Sequence, residues 1–145
     1  MIKEFQGEYR WLSNFWPVKV TYGDVEYPSV EHAYQAAKSL DPNVRASLMA
    51  VAGDHPGGAK RFGKTVALRS DWETVKVSIM RDLVTQKFTN DLELQEKLLA
   101  TGDLYLEETN TWGDQFWGVC GGKGKNVLGN ILMEIRREIS ASVVV

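Results

Sequence analysis

Three polar residues that could do chemistry together lie along one predicted helix near the start of the chain. Glu31, Gln35 and Lys38 supply a carboxylate, an amide and an amine. At about 100° per residue they fall within about 60° of one another and span about 10 Å of helix rise. That span matches a small sugar-like ligand. The trio is therefore a candidate wall of a binding cleft.

The same three residues also fit a solvent-exposed helix face. A Glu that precedes a Lys, with the Lys near the helix C-terminus, is favoured by the helix dipole, and runs of charged residues usually face water. The polar trio lies beside the predicted core stripe rather than opposite it, so both interpretations stay open. That stripe consists of Val30, Ala33, Tyr34, Ala37 and Leu40.

A second candidate region is the glycine-rich segment 112–126. Four glycines between Gly118 and Gly124, with Lys123 and Lys125, lead directly into a predicted helix. Backbone N–H groups, the positive helix end and two ammonium groups could converge there on an anion such as phosphate. The segment is not a Walker motif, because Asn rather than Ser or Thr follows the second lysine. A flexible loop with solvated lysines is the alternative.

Other polar and aromatic residues could contact a ligand or simply complete the fold. Asp114 and Trp117 lie in the glycine-rich segment, where Trp117 could stack on a base or pack in the core. Ser13 and Asn14 could bind a ligand or satisfy turn backbone. The segment 57–64 carries Arg61 and is predicted to be a basic surface turn. The single cysteine, at position 120, is predicted to be a small packing residue.

Composition indicates one globular domain over residues 1–145. The 145 residues are 43% hydrophobic, with five each of Trp, Tyr and Phe, which is enough for a single core. A net charge of −2 argues against broad electrostatic binding to duplex nucleic acid. One cysteine and two histidines make an ordinary zinc site unexpected. Without an apolar spanning run or a signal-peptide pattern, we expect a cytoplasmic protein and no membrane partner.

The elements that must position these residues are mostly helices. Apolar residues alternate on both sides of Gly23-Asp24, which predicts a β-hairpin over 18–27, and a short strand is predicted over 104–106. The final helix should turn Glu134, Arg136, Arg137 and Glu138 to water. The predicted class is α+β, a mostly helical single domain with a small hairpin. Helices are predicted to begin at Pro28 (N-cap Ser29), Asp41-Pro42, Ser70 (a capping box with Glu73), Asn90-Asp91 and near Asn126.

Six fragments taken together resemble the NADAR, or YbiA-like, family of N-glycosidases over nearly the full chain. They occur in order and at compatible spacing, which makes the match more specific than any one fragment. The Val119-Cys120 pair departs from the pattern, because a small residue is expected after Trp-Gly. The fragments are 12–15, 31–38, 61–63, Trp72 with Met80 and 87–88, Trp117-Gly118, and 122–129 with 132–133.

The resemblance implies an enzyme that hydrolyses an N-glycosidic bond. Some family members act on phosphoribosylamino-pyrimidine intermediates of riboflavin synthesis, and others remove ADP-ribose from guanine bases. The implied partner is thus a nucleotide-like small molecule or ADP-ribosylated nucleic acid. The resemblance implies no metal and no redox cofactor, and it does not set the oligomeric state. A non-catalytic module that binds ADP-ribose or a nucleotide is the competing class.

Residue roles can be assigned on that basis. Lys38 is the predicted nucleophile, which attacks the sugar carbon to leave a Schiff base, with Glu31 or Asp114 moving protons. Either carboxylate could instead activate water. Trp117 and Trp72 are expected to stack on the base. The predicted substrate-binding residues are Ser13, Asn14, Gln35, Arg61, Trp72, Trp117, Lys123 and Lys125.

Overall fold

The chain forms an α+β fold that is mainly helical, as predicted. The computed structural model describes residues 1–143, so the last two residues of the predicted domain lie outside it. The chain divides into two compact units. The central unit is Asn14–Asn90, and the terminal unit combines Met1–Ser13 with the described residues from Asp91 onward. Among the described helices, none is long and apolar enough to cross a membrane.

The central unit begins with the predicted β-hairpin. Strand β1 (Pro17–Tyr22) pairs antiparallel with β2 (Val25–Ser29). Gly23 and Asp24 between them have φ values of 56° and 62°. Both values lie in the left-handed region that a tight two-residue hairpin turn requires, and this explains why Gly and Asp occupy the turn.

Helix α1 (Val30–Ala37) follows β2 without a loop. The Ser29 hydroxyl accepts a hydrogen bond from the His32 N–H at 3.1 Å, which confirms the predicted N-cap. Pro28, however, lies in β2 and does not begin the helix. All eight residues of α1 are buried, since α1 packs against α2, α3 and α4 as well as the hairpin. Leu40 is 64% exposed, so its place in the core stripe was wrong.

Three more helices complete the central unit: α2 (Pro42–Ala50), α3 (Pro56–Gly63) and α4 (Trp72–Asn90). The Asp41 carboxylate caps α2 by accepting from the Asn43 N–H at 2.9 Å, as predicted. Helix α3 replaces the expected surface turn. Its Gly57-Gly58 pair has low helix propensity, which hid the helix from sequence reasoning, although Pro56 stands at the favoured first position.

The terminal unit contains a 3-10 helix (Gly7–Leu12), α5 (Leu92–Ala100) and α6 (Val127–Val143). Asp91 caps α5 by accepting from the Leu94 N–H at 3.1 Å. Helices α5 and α6 pack together. Arg136 of α6 is only 9% exposed and donates to the Thr101 hydroxyl at 2.9 Å, so its predicted place on the water-facing side was wrong.

The β-structure of the terminal unit differs from the expected strand. Leu106 makes only an isolated parallel bridge with Ile2, so the strand predicted over 104–106 was wrong. Two-residue strands form instead at β3 (Thr109–Asn110) and β4 (Val119–Cys120), and they pair in parallel. This short pairing anchors both ends of the loop that contains Asp114.

Candidate active site

The polar trio of α1 lies in a buried environment. Glu31 and Gln35 are 7% and 3% exposed, and the Gln35 Nε2 donates to Glu31 Oε1 at 2.8 Å. Lys38 follows the last turn and is half-buried. The solvent-exposed interpretation was therefore wrong for Glu31 and Gln35. A carboxylate held in this way needs polar partners, and the amide one turn later supplies one.

A glycine of α3 makes room for this amide. A Cβ at Gly63 would overlap with Oε1 of Gln35, so the absence of a side chain at Gly63 leaves the space that Oε1 fills. That oxygen has no hydrogen-bond partner among the described residues. With Oε1 packed against Gly63, Nε2 is directed to Glu31. The close approach of α3 thus fixes which end of the amide meets the carboxylate.

The Lys38 amine lies among charged neighbours of both signs. Burial lowers the pKa of Lys38 below its ordinary value, Glu31 opposes this shift, and Lys60 and Lys64 add to it by like-charge repulsion. Its Nζ lies 5.7 Å from the centre of the Tyr34 ring. A lowered pKa increases the fraction of neutral amine at a given pH. The neutral amine is the form that can act as a nucleophile.

The other predicted residues of the central unit have different surroundings. Trp72 is buried, with its ring 5.2 Å from that of Tyr34, and so offers little surface to a base. Asn14 is half-buried, and its Nδ2 donates to the Met80 sulfur at 3.5 Å. The Asn14 carbonyl accepts from the Glu31 N–H at 3.1 Å, which ties this residue to α1. Arg61 is exposed in the last turn of α3.

Asp114 belongs to the terminal unit, where its carboxylate organises a loop. Its Oδ1 accepts from the backbone N–H groups of Phe116 and Trp117, at 3.0 and 2.9 Å. The Asn110 side chain holds the Asp114 backbone through two further hydrogen bonds, at 2.8 and 3.0 Å. Ser13, also in this unit, and Trp117 are both half-buried. The contacts of Asp114 are those of a loop-forming residue.

Part of the backbone in and directly after the glycine-rich segment is already hydrogen-bonded. Seven N–H groups from Val119 to Leu128 donate to backbone carbonyls, so the predicted cradle of free N–H groups was wrong for these donors. Gly121 and Gly122, with φ values of 62° and 76°, form a turn closed by hydrogen bonds between Cys120 and Lys123. The side chains of Lys123 and Lys125 are exposed. These two side chains remain among the anion-binding groups that the sequence suggested.

Sequence reasoning missed three residues that surround the trio. Gly63, Lys60 and Lys64 all lie within the segment 57–64 that was expected to be a basic surface turn. The sequence did contain a signal for helix α3, because proline is common at the first position of a helix and Pro56 takes that position. In such a helix, Lys60 and Gly63 lie on one face. In the described part of the chain, no group of three or more His, Cys, Asp or Glu residues is placed to hold a metal ion.

Comparison with known proteins identifies the family of this chain. The model of the NADAR domain matches residues 2–140. The chain belongs to the NADAR family. The N-glycosidase YbiA of Escherichia coli is 41% identical to it over 138 residues, covering 92% of this chain and 83% of YbiA. An N-glycosidase of Nostoc punctiforme is 40% identical over 136 residues, covering 90% and 86% of the two chains.

A solved structure of YbiA and one longer relative extend the comparison. The solution NMR structure of Escherichia coli YbiA superimposes with a TM-score of 0.84 at 36% identity, covering 99% of this chain and 85% of that one. A riboflavin biosynthesis protein of Vibrio vulnificus is 39% identical over 131 residues, which is 88% of this chain and 35% of that protein.

Proposed function

We propose that this chain is an N-glycosidase that hydrolyses the bond between a ribose carbon and a nucleobase-like nitrogen. The single observation that carries the proposal is the half-buried Lys38 amine, its pKa lowered, close to the buried Glu31–Gln35 pair. Similarity to relatives named N-glycosidases supports the same reaction class. The proposed substrates are ADP-ribose attached to guanine, or a phosphoribosylamino-pyrimidine.

In the first step, the neutral Lys38 amine attacks the anomeric carbon. Its lone pair forms the new C–N bond while the old bond to the base breaks and its electrons leave with the base nitrogen. Glu31 donates a proton to that nitrogen. We prefer Glu31 to Asp114 for this role because Glu31 acts electrostatically on Lys38, whereas Oδ1 of Asp114 accepts two backbone N–H groups.

In the second step, the sugar is released from the enzyme. The Lys38 nitrogen gives a proton to the Glu31 carboxylate, its lone pair opens the ribose ring, and the ring oxygen takes that proton from Glu31, which leaves an iminium ion. Water then adds to the iminium carbon and the amine departs, so the sugar leaves as a free aldehyde that can close again. Gln35 holds the Glu31 carboxylate in one orientation throughout. Glu31 regains its proton from the added water, so the net reaction consumes one water and regenerates both Lys38 and Glu31.

Direct attack by water is the second candidate mechanism. Glu31 would then act as a base rather than as a proton donor, and Lys38 would stabilise charge without forming a bond. The two routes differ in one observable species, because only the first produces an iminium ion on Lys38. Neither route uses a metal, so chelation with EDTA is expected to leave turnover unchanged.

The test incubates the protein separately with ADP-ribosylated DNA and with the phosphoribosylamino-pyrimidine, and measures released sugar. Borohydride added during turnover should reduce the iminium ion and leave a covalent adduct on Lys38. Lys38→Ala and Lys38→Arg should both abolish hydrolysis, because an alanine has no amine and a guanidinium does not form a Schiff base. Lys19→Ala is the matched control, since that side chain is 81% exposed on β1.

The outcomes separate the candidates. Hydrolysis without a borohydride adduct would favour direct attack by water over attack by Lys38. Normal turnover by a folded Lys38→Ala protein would remove Lys38 from the chemistry altogether. Binding of ADP-ribose without any hydrolysis of either substrate would show that the chain is a binding module.

A further inference from the structure

Two lysines at the C-terminal end of α3 act electrostatically on Lys38. Lys60 precedes Gly63 by three residues, so the two lie on one face of α3, and Gly63 packs against Gln35 of α1. Lys64 follows Gly63 directly as the C-cap residue. Lys38 lies three residues after Gln35, on the same face of its own helix. The contact between Gly63 and Gln35 therefore brings three amines into one neighbourhood.

This neighbourhood has an excess of positive charge. The charged side chains that act on Lys38 are Glu31, Lys60 and Lys64, which are one anion and two cations. The chain as a whole has a net charge of −2, so its composition does not explain the local excess. The helix dipole favours cations in the last turn of α3, yet it gives no reason to place two of them near a third amine. Like charges in this arrangement attract an anion.

We propose that Lys60 and Lys64 form an anion subsite that holds a phosphate group of the substrate while Lys38 attacks its sugar. The inference rests on the proposed function, because it assigns a second group of the same substrate. It assigns phosphate binding to Lys60 and Lys64 instead of the exposed Lys123 and Lys125. Seven backbone N–H groups near Lys123 and Lys125 donate to carbonyl oxygens and are not available to an anion, which supports this assignment.

The subsite can be tested without turnover by following the titration of Lys38. Lysine side chains labelled with carbon-13 report their own pKa values by NMR, with Lys38→Arg identifying the Lys38 signal. Inorganic phosphate and pyrophosphate are added as probes. A bound anion should raise the pKa of Lys38 saturably, because it stabilises the charged amine.

Variants locate the effect. In the double variant Lys60→Gln with Lys64→Gln, the pKa of Lys38 should be higher before any anion is added, and phosphate should no longer change it. The rival pair, Lys123→Gln with Lys125→Gln, should respond to phosphate as the unmodified protein does. Lys19→Gln is the matched control for removal of an exposed charge. In turnover assays, the α3 double variant should raise KM about tenfold with a much smaller change in kcat.

Each result decides the inference. A saturable increase in the pKa of Lys38 that is lost only in the variant with Lys60→Gln and Lys64→Gln supports the subsite. If this result is obtained but no hydrolysis is found, only the proposed function fails. An unchanged response in that variant overturns the subsite, as does the absence of a response to either probe in the unmodified protein. A response to an unmodified DNA oligonucleotide but not to pyrophosphate would overturn the assignment to the substrate's own phosphate.

Discussion

Helix α1 presents polar side chains and the glycine-rich segment 112–126 presents backbone N–H groups. The two kinds of groups differ in how far the fold satisfies their hydrogen bonds. In α1, side chains that fit a solvent-exposed face are buried, and the Gln35 amide leaves one oxygen without a hydrogen-bond partner. In the glycine-rich segment, five backbone N–H groups that fit an anion cradle are bonded to carbonyls of the same unit. Polar groups that the fold has already satisfied have little left to offer a ligand.

The difference comes from the use each region makes of glycine. Gly63 leaves a space that a polar side chain of α1 fills, so this glycine shapes the surroundings of Glu31. Gly118 and Gly124 allow one backbone to approach another, because a Cβ at Gly118 would overlap with the Glu108 carbonyl and one at Gly124 with that of Gly118. The first glycine serves a candidate site, whereas the other two serve the fold.

The largest loss of stability is expected for a substitution at Gly118, and it tests the structural role given to this glycine. Gly118→Ala should lower the free energy of unfolding by about 3 kcal/mol, because the obstructing atom is a backbone carbonyl that cannot move aside easily. Urea denaturation measures this change. The control Gly121→Ala has open space around its Cβ and a φ of 62°, so it should cost about 1 kcal/mol. Equal losses in the two variants would contradict the role of close packing at Gly118.

A smaller loss is expected at Gly63, accompanied by a loss of turnover. Gly63→Ala should destabilise the protein by about 2 kcal/mol and displace the Gln35 amide from Glu31. Gly58→Ala, on the same helix with its nearest contact at 3.5 Å, should be neutral or stabilising by about 0.5 kcal/mol. Adding Gln35→Ala to Gly63→Ala should recover stability, with a coupling of about 1 kcal/mol. Strict additivity would show that the two residues do not share the space.

Removal of the Lys38 charge should stabilise the fold at neutral pH. The pKa of Lys38 is lowered in the folded state, so below that pKa the folded protein bears the cost of a charge that is better solvated when unfolded. This cost disappears as the pH rises from the lowered pKa to the ordinary value of 10.5. Lys38→Met should therefore gain about 0.5 kcal/mol at pH 7. Thermal unfolding should show this gain at pH 7 and a smaller one at pH 11.

The smallest expected effects are shifts of the pH profile of kcat/KM. If the neutral Lys38 amine reacts, its deprotonation makes the rate rise with pH, until loss of the proton that Glu31 donates lowers the rate again. Glu31→Gln removes the charge that raises this pKa, so the rising limb should move to lower pH, besides any loss of rate. Lys60→Gln removes a charge that lowers it, so the limb should move to higher pH. Each shift should be less than about one pH unit, or about 1.4 kcal/mol. Shifts in the same direction would rule out Lys38 as the titrating group.

Local features of the fold could be predicted well from the sequence. The turn at Gly23-Asp24 and the caps Ser29, Asp41 and Asp91 depend on residues only a few positions apart, so their chemistry can be read directly. Helix α3 could not be predicted, because its glycine pair opposes helix formation and tertiary contacts outweigh that preference.

The site could be predicted only in part. The spacing of Glu31, Gln35 and Lys38 placed them on one helix face, but spacing alone cannot tell burial from exposure. Burial depends on α3 and the other elements that pack around α1, which are distant in sequence. The same limit explains why Arg136 was expected in water, although its partner Thr101 lies on another segment.

The bonded backbone of the glycine-rich segment also has a consequence for its motion. Amide protons held in carbonyl hydrogen bonds exchange with solvent only when the structure opens locally. The five segment N–H groups that donate to carbonyls, between Val119 and Asn126, should therefore exchange slowly, in the range of helix α6 rather than of a free loop. A segment rich in glycine would then be among the slower-exchanging parts of its unit, and its glycines would mark rigidity instead of freedom.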